Sequence, residues 1–406
     1  MKSMKLGEII EIKHGYAFSG DYIITNDNGI VLVTPGNFKI GGGFKEEKCK
    51  FYEGEIIEEY VLKPGDYIVT MTDLSKTIDT LGYSAKVPNN TQRIYLHNQR
   101  IGLIRFKRSD VYNDYIYYLM QTSDYQKSIA NTSSGAVVHH TSPSRICDYN
   151  VVLPDYNTQK KIAIFLSTLD AAIENNQKQI KLLEEAAQRL YKEWFVDLHF
   201  PGWKNTEIVD RVPNGWSFRK ISDFGEVITG KTPSTEKSEN YGGEIPFVKI
   251  PDMHGCVYPI KTEITLSEIG ANSQKNKFIP PNSVMVSCIA TVGLVNISIA
   301  DCQTNQQINS IVLRDSNDLY FLYCSMKRIK LLLEGVGSNG ATMTNVNKTK
   351  FSELNVLYPT LELKNRFYNY CEPMFEKIKT LSIENTKLQE SRDCLLPRLM
   401  SGELEV

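Results

Sequence analysis

The sequence predicts an α+β protein of two tandem globular units, each built on a mixed, barrel-like sheet and each followed by a long helix. Three observations support this fold class. A chain of 406 residues has room for two to three domains of roughly 150 residues each. Its second half repeats the first in segments that keep the same order. Two long stretches carry apolar residues in heptads, which indicates long helices.

Composition limits the possible classes of protein. Lys and Arg number 46 against 47 Asp and Glu, so the net charge of −1 gives no bulk affinity for nucleic acid but leaves local basic faces open. With 41% hydrophobic residues the chain can form packed cores, which argues against disorder. No apolar run reaches the length of about 18 residues that a membrane span needs, and the N-terminus has no signal-peptide core. The eight cysteines are too far apart for a Cys-x-x-Cys pair, so we expect a soluble cytoplasmic protein with reduced thiols.

The internal repeat is the strongest feature of the sequence. Residues 5–15 align with residues 220–230, and residues 62–69 align with residues 279–286. Further along, Asn98-Gln99 recurs as Asn305-Gln306, which suggests a structural or shared role for this step. The matching order indicates a tandem duplication. Since two copies are too few for a solenoid, each should fold around its own core.

Within each copy, short runs rich in Val, Ile, Tyr and Phe predict strands separated by Gly, Pro and Asn turns. The predicted strands are residues 29–33, 66–71, 101–106, 283–289 and 308–313. Helices are expected at residues 114–130 and 319–333. This mixture favours a curved or barrel-like sheet in each copy.

The long helices follow from two heptad seams of ten positions. One runs from Ile162 to Trp194 and the other from Phe367 to Leu399. A pair of long antiparallel coiled-coil helices in a pseudo-twofold arrangement is favoured over two separate amphipathic helices. Each seam contains one Asn, and flush antiparallel pairing would place Asn176 opposite Asn385. We therefore predict that these two residues fix the register of the helix pair.

No catalytic or metal site is evident in the sequence. Residues 41–43 are a glycine run without the Gly-Lys-Ser/Thr of a phosphate loop. His139 and His140 are adjacent, so their side chains diverge, and no third metal ligand is apparent. Asp252 with Glu263 lacks the following Lys of a nuclease carboxylate motif. A duplicated protein of this kind is expected to bind and scaffold, without a metal or a catalytic residue.

Several segments together resemble the specificity (S) subunit of type I restriction-modification systems. They are residues 190–197 at the end of the first heptad stretch, residues 212–216 and 225–233 at the start of the second copy, Asn305-Gln306-Gln307, and residues 395–404. The resemblance covers essentially the whole chain.

The resemblance implies a division of labour along the chain. Residues 1–153 and 201–358 would be target recognition domains 1 and 2, each reading one half of a bipartite, asymmetric DNA site. The spacer helices in residues 154–200 and 359–406 would set the gap and dock partners. Those partners would be two methyltransferase subunits, which bind S-adenosylmethionine, and two motor-nuclease subunits, which use ATP and Mg²⁺. The chain itself would hold no cofactor and catalyse nothing.

Recognition residues vary within such a family, so the DNA-contacting residues are predicted from loop position and side-chain type. Arg, Lys, Asn and small hydroxyl residues read base edges or meet phosphates. In the first copy the candidates are Lys39, Lys45, Lys76, Arg93, His139, His140, Thr141 and Arg145. In the second copy they are Lys231, Thr232, Lys249, Lys275, Lys277, Asn339, Thr342, Thr344, Asn347 and Lys348.

Other interpretations remain open at this stage. The chain could serve a related methylation or restriction system that lacks the motor subunit. It could also be a coiled-coil adaptor that binds protein or glycan, not DNA. A hydrolase would need an acid–base pair that the sequence does not offer.

Overall fold

The structure is a computed structural model. It describes residues 2–47, 49–75, 77–135, 138–329 and 345–405. The chain divides into two compact units. Unit 1 comprises residues 1–171 and 390–406, and unit 2 comprises residues 172–389. Among the described residues, no helix is both long enough and apolar enough to cross a bilayer.

The helices bear out the heptad prediction. Two of them are long, α4 and α9, and each contributes one part to unit 1 and the other part to unit 2. The helices of the described residues are α1 Asn113–Leu119, α2 Ser123–Asn131, α3 Pro143–Cys147, α4 Tyr156–Phe195, α5 Ile221–Phe224, α6 Glu268–Asn272, α7 Leu319–Met326, α8 Lys348–Ser352 and α9 Leu361–Ser401.

One predicted helix is divided and one is only partly described. The stretch 114–130 forms α1 and α2, because the Thr122 hydroxyl accepts a hydrogen bond from the Tyr125 amide and starts a new helix. The stretch 319–333 begins as α7, and its residues 330–333 lie outside the described residues.

Unit 1 has two main sheets. Its strands are β1 Lys2–Lys5, β2 Ile10–His14, β3 Ile23–Ile24, β4 Ile30–Val33, β5 Lys50–Tyr52, β6 Val61–Leu62, β7 Tyr67–Thr70, β8 Thr72–Asp73, β9 Ser84–Lys86, β10 Ile94–His97, β11 Ile101–Phe106, β12 His139–His140 and β13 Asn150–Leu153. One sheet is antiparallel with the order β2-β11-β7-β9. The other has the order β3-β5-β4-β10-β6 and contains the parallel pair β4 and β10. Strands β1 with β13 and β8 with β12 form two antiparallel pairs.

Unit 2 repeats this topology with fewer strands. They are β14 Ile208–Val209, β15 Val212–Pro213, β16 Ser217–Lys220, β17 Gly225–Thr229, β18 Tyr241–Val248, β19 Ile264–Leu266, β20 Val284–Ser287, β21 Val295–Ile297, β22 Gln303–Thr304, β23 Ile308–Leu313 and β24 Asn355–Tyr358. The antiparallel sheet β17-β23-β20-β21 matches β2-β11-β7-β9, and the pair β16 with β24 matches β1 with β13. In the sheet β19-β18-β22, strands β18 and β22 are parallel, as β4 and β10 are. The duplication is thus confirmed in the strand order.

The predicted barrel-like sheets are wrong. Among the described residues each sheet is open, since its strand order runs from one edge strand to the other without a return. A barrel requires the first and last strands to pair with a fixed stagger. In unit 1 the two sheets bury their apolar faces in one shared cluster instead, with Val31 and Tyr95 from one sheet and Ile68 and Leu103 from the other.

The long-helix segments complete the core of each unit. In unit 1, Ile162 and Leu166 of α4 share a buried cluster with Leu396 and Leu399 of α9. In unit 2, Trp194 near the end of α4 contacts Phe367 near the start of α9, with ring centroids 6.0 Å apart. The two helices therefore run antiparallel in unit 2, as the heptads predicted.

Candidate nucleic-acid interface

An equivalent contact between two strands lies beside the candidate surface in each unit. In unit 1 the Tyr16 amide donates to the His97 carbonyl at 2.9 Å, and in unit 2 the Lys231 amide donates to the Thr304 carbonyl at 2.9 Å. The preceding Gly15 lies so close to the next strand that a Cβ would be 2.2 Å from the Asn98 carbonyl oxygen. The matching Gly230 would meet the Asn305 carbonyl oxygen at 2.2 Å. The recurring Asn-Gln step thus has a backbone role at a close approach of two strands.

In unit 1, the structure brings together the candidates around β8 and β12. Strand β12 pairs with β8, so that His139 lies opposite Asp73 and His140 opposite Thr72. The Thr72 hydroxyl and His140 Nδ1 are 3.1 Å apart. Next along the chain, the amide of the buried Thr141 donates to the Met71 carbonyl, while Arg145 is exposed and its Nη1 donates to the Ser134 hydroxyl at 3.2 Å.

A cleft of about 550 Å³ adjoins this strand pair. One wall comes from the segment that follows β4 and carries Lys39 and Lys45. The other wall comes from the loop that follows β8. The cleft, called the unit 1 cleft below, is lined by Pro35, Gly36, Phe38, Lys39, Ile40, Lys45, Glu47, Asp73, Leu74, Ser75, Asp79 and Thr80.

The buried Asp73 organises the second wall of the unit 1 cleft. Its carboxylate accepts hydrogen bonds from the Ser75 amide at 2.6 Å, the Thr80 amide at 2.6 Å, the Thr80 hydroxyl at 2.7 Å and the Leu81 amide at 3.1 Å. Burial raises the pKa of Asp73, but the hydrogen bonds from Thr80 and Ser75 together outweigh it and hold the pKa below its ordinary value. The side chain is therefore an ionised structural anchor at neutral pH.

Arg93 is already paired with carboxylates. Its Nη2 is 2.7 Å from an Asp27 carboxylate oxygen, its Nη1 is 4.0 Å from Glu46, and only 22% of the side chain is exposed. A DNA phosphate would have to compete with these carboxylates. Arg93 stays a prediction, but its local pairing gives it less freedom to bind DNA than Lys39 has.

In unit 2, hydrogen bonds of two glutamine side chains hold several of the candidate residues close together. Gln274 Nε2 donates to the Lys231 carbonyl at 2.8 Å, which places the turn Lys275–Lys277 beside Lys231. The Thr232 hydroxyl donates to Gln306 Oε1 at 2.8 Å. Lys249 begins a separate turn, in which its amide donates to an Asp252 carboxylate oxygen at 2.8 Å.

The segment that begins at Asn345 belongs to the same end of the unit 2 sheet. The Val346 amide donates to the Cys288 carbonyl at 2.8 Å, just beyond the end of β20. Asn347 caps α8, since its side-chain oxygen accepts from the Lys350 amide at 2.9 Å. Lys348 is exposed in the first turn of that helix. Four further candidates, Lys76, Asn339, Thr342 and Thr344, lie outside the described residues.

The other motifs considered in the sequence have structural partners. Asp252 accepts from the Lys249 amide with one carboxylate oxygen and from the Glu263 amide at 2.9 Å with the other, so it organises a turn. His139 and His140 are ladder residues of β12. Within the described ranges, no group of three or more His, Cys, Asp or Glu side chains is arranged to hold a metal ion.

Asn176 and Asn385 are both buried and both belong to unit 2. Asn385 Nδ2 donates to the Ile173 carbonyl at 3.3 Å. Asn176 Nδ2 and Asn385 Oδ1 have no hydrogen-bond partner among the described residues, so these two atoms do not bond to each other. Their role in fixing the register stays a prediction.

Sequence reasoning missed Asp73 and Gln274, and it noted Gln306 in the recurring Asn-Gln step without identifying its partner. Gln274 and Gln306 act through partners 43 and 74 residues away, which a single sequence does not reveal. Asp73 carried one local signal, because an Asp with Ser two positions later is typical of a side chain that bonds its own downstream backbone.

Comparison with known proteins identifies the family. The chain matches the type I restriction modification DNA specificity domain over residues 1–185 and 213–390, and it belongs to this family. The HindI specificity subunit of Haemophilus influenzae is 32% identical over 394 residues, which cover 79% of this chain and 86% of that protein. The MjaIX specificity subunit of Methanocaldococcus jannaschii is 28% identical over 312 residues, or 74% and 71% of the two chains.

The fold has a solved counterpart. The crystal structure of a type I restriction-modification S subunit from M. genitalium matches with a TM-score of 0.59 and 12% identity, over 98% of this chain and 95% of that one. The family resemblance read from the sequence is confirmed, and with it the expectation of a non-catalytic specificity subunit.

Proposed function

We propose that this chain is the sequence-specific DNA-recognition subunit of a type I restriction-modification complex. The observation that carries the proposal is the duplicated strand end in which Gly15 packs on Asn98 and Gly230 packs on Asn305. The strand arrangement that the two units share, called the frame below, carries different polar loops in each unit. Unit 1 has Lys39, Lys45 and His140 in these loops, and unit 2 has Lys231, Thr232 and Lys275. Two different loop sets on one repeated frame suit a site whose halves differ in sequence.

The charges of these loops suit contact with duplex DNA. Exposed Lys and Arg side chains meet phosphates and guanine, while Asn and small hydroxyl residues meet base edges. Because the net charge of the chain is −1, the proposal leaves much of the phosphate contact to the partner subunits. The proposed assignment of domains is residues 1–153 and 201–358 for recognition, with residues 154–200 and 359–406 as the spacer helices that set the gap.

The partners follow from the family and from the duplication. Two methyltransferase subunits and two motor-nuclease subunits would assemble on this chain in the cytoplasm, with S-adenosylmethionine, ATP and Mg²⁺ held in those subunits. The two long helices carry exposed aromatic residues at positions that the repeat makes equivalent, Phe165 on α4 and Tyr370 on α9. A duplicated apolar position favours two copies of one partner over two different partners.

The test maps adenine methylation across the host genome by long-read sequencing, with the gene intact, deleted and restored. We expect one split motif, two short half-sites around a fixed gap, to lose methylation on deletion and to regain it on restoration. An active methyltransferase whose methylated motif is the same with and without the gene would contradict the proposal. A coiled-coil adaptor for protein or glycan would then be the better interpretation.

A further inference from the structure

The repeat provides an internal comparison for the loop that forms one wall of the unit 1 cleft. Strand β7 pairs with β9 and strand β20 pairs with β21 in matching antiparallel ladders. The bridge from Thr72 to His140 in unit 1 corresponds to the bridge from Ile289 to Asn345 in unit 2. From there the chain takes residues 73–83 to reach β9, but only residues 290–294 to reach β21. Unit 2 shows that the sheet needs no more than the short connection.

The longer connection, residues 73–83, is called the Asp73 loop. Its described residues, 73–75 and 77–83, have a preset shape. Four donors from Ser75, Thr80 and Leu81 converge on the Asp73 carboxylate. A second carboxylate, Asp79, accepts from the Ser75 and Thr77 hydroxyls at 2.9 and 2.7 Å. Such a network ties the loop to itself at both ends, so little conformational entropy remains to be lost on binding.

A strained residue and a tertiary contact hold the middle of the Asp73 loop. Ile78 has a φ of 54°, a left-handed conformation that is unusual for a β-branched residue. Its carbonyl accepts a hydrogen bond from Gln126 Nε2 at 2.6 Å. Strain of this kind persists where the surroundings impose it, and it concentrates at functional sites.

The outer side of the Asp73 loop offers chemistry that fits a DNA groove. Leu74 is 62% exposed beside Lys39 and Lys45 in the unit 1 cleft. An exposed apolar side chain contacts a thymine methyl group, and lysines contact guanine or phosphate. The cleft thus combines an apolar contact and two lysine donors with the carboxylates of Glu47 and Asp79. The buried carboxylate of Asp73 faces the loop backbone and is unavailable to DNA.

We propose that the Asp73 loop determines the sequence of the half-site that unit 1 reads, and that Asp73 is the positioning residue that gives the loop its reading shape. The inference rests on the proposed function, in which each unit reads one half of a split DNA site. Asp73 acts through the loop and does not touch the DNA. The ligand is the groove edge of duplex DNA.

The experiment places D73N in the full chain within a complete host system and maps adenine methylation. The amide that replaces the carboxylate in D73N has only one oxygen, so either the Ser75 amide or the amides of Thr80 and Leu81 lose their acceptor. We expect discrimination at one or two positions of a single half-site to fall by about tenfold, the scale set by one well-placed base contact. The other half-site and the gap should stay as strict as in the wild type.

Unit 2 supplies the matched control. The Ser287 hydroxyl holds the short connection there, because it donates to the Thr291 carbonyl and accepts from the Leu294 amide at 2.8 Å. S287A should leave the unit 1 half-site as strict as it is in the wild type. If D73N lowers methylation evenly while both half-sites keep full strictness, Asp73 has only a structural role and the proposal is overturned.

A second variant covers the case in which D73N does not fold. Residues 73–83 are replaced by the sequence of residues 290–294, a connection that unit 2 shows to be compatible with this ladder. The graft variant should no longer require the sequence of the unit 1 half-site for methylation, while its requirement for the unit 2 half-site should remain. An unchanged methylation motif would overturn the proposal. Failure of the proposed function is distinguishable, since deletion of the wild-type gene would then leave methylation unchanged.

Discussion

Gly15 and Gly230 occupy matching positions at which two strands approach too closely for a side chain. A Cβ at either position would lie 2.2 Å from a backbone carbonyl oxygen, and a backbone atom cannot move aside cheaply. We expect G15A and G230A each to lower the free energy of unfolding by more than about 2 kcal/mol, the cost typical of forced overpacking.

Urea unfolding measures this loss, with G20A as the control. Gly20 has open space within 4 Å of its Cβ position and no positive φ. An unfolding midpoint for G15A as high as that of G20A would show that the two strands can separate without cost. The close approach at Gly15 would then not be a requirement of the fold.

His97 makes the stability of unit 1 depend on pH. Burial lowers the pKa of this imidazole to about 4, and its Nε2 lies 2.8 Å from the Ile101 carbonyl, which suits a neutral ring that donates there. Between pH 6.5 and pH 4 the His97 imidazole binds a proton in the unfolded chain but not in the folded chain. Stability is therefore lost as the pH falls through this window, by at most about 3 kcal/mol.

The measurement compares the wild type with H97Q by urea unfolding at pH 7 and pH 5. The Gln side chain keeps a donor for the Ile101 carbonyl but has no proton to gain. We expect the wild type to lose more stability than H97Q between the two pH values. An equal loss in the two proteins would mean that His97 titrates alike in the folded and unfolded chains.

Single residues also show what the sequence could and could not predict about the site. Side-chain type and loop position selected Lys39, Lys45 and His140, which meet around one strand pair. The same criteria selected Arg93, because nothing local reveals its pairing with Asp27, 66 residues away. Asp73 could not be selected by these criteria because carboxylates repel phosphates, and its burial depends on the tertiary fold.

At the level of secondary-structure elements, one tyrosine in each copy anchors its short helix to α4. The Tyr118 hydroxyl of α1 donates to an Asp170 carboxylate oxygen at 2.7 Å, and Arg392 Nη1 lies 3.1 Å from the other oxygen. In unit 2 the Tyr323 hydroxyl of α7 donates to Glu184 at 2.6 Å. Tyr118 and Tyr323 differ by the repeat offset of 205, so the contact is a shared feature of the duplication.

We expect Y118F and Y323F each to reduce stability by roughly 1.5–3 kcal/mol, because a partly buried carboxylate loses a charge-assisted hydrogen bond. Thermal unfolding checks the shift, with Y368F as the control. The Tyr368 hydroxyl also donates to a carboxylate, Glu372 at 2.9 Å, but this contact is on the surface of a single helix. A Y368F loss as large as that of Y118F would assign the effect to tyrosine removal in general.

The elements differ in how well the sequence predicts them. The heptads predicted α4 and α9 because helix periodicity is local and is repeated over many turns. The same local patterns located β7, β11, β20 and β23 within one or two residues. Closure of the sheets was predicted wrongly, because strand order depends on pairs such as β2 with β11, which are about 90 residues apart in the chain. Burial of one sheet against the other satisfies the same apolar pattern as a barrel would.

At the scale of the whole molecule, duplication explains how one chain can present the same surface twice. The strand order, the Gly–Asn approach and the tyrosine anchor all recur in the two units. The loops on this frame differ in length and charge, as the Asp73 loop and residues 290–294 illustrate. Selection on such a chain can preserve the shared strand arrangement while the two sets of loops diverge.

The proposed pair of methyltransferase subunits can be tested by counting the subunits that one chain binds. Phe165 is 39% exposed on α4 and Tyr370 is 48% exposed on α9, at positions that the repeat makes equivalent. If each is the centre of one docking site, F165E or Y370E should change the complex from two bound methyltransferases to one, and the double variant should bind none. Native mass spectrometry of the purified complex counts the subunits, and I269E, which alters a residue of α6 that is 61% exposed, is the control. Loss of both subunits in a single variant would mean that the two sites are not independent, whereas retention of both would place the docking surface elsewhere on the helices.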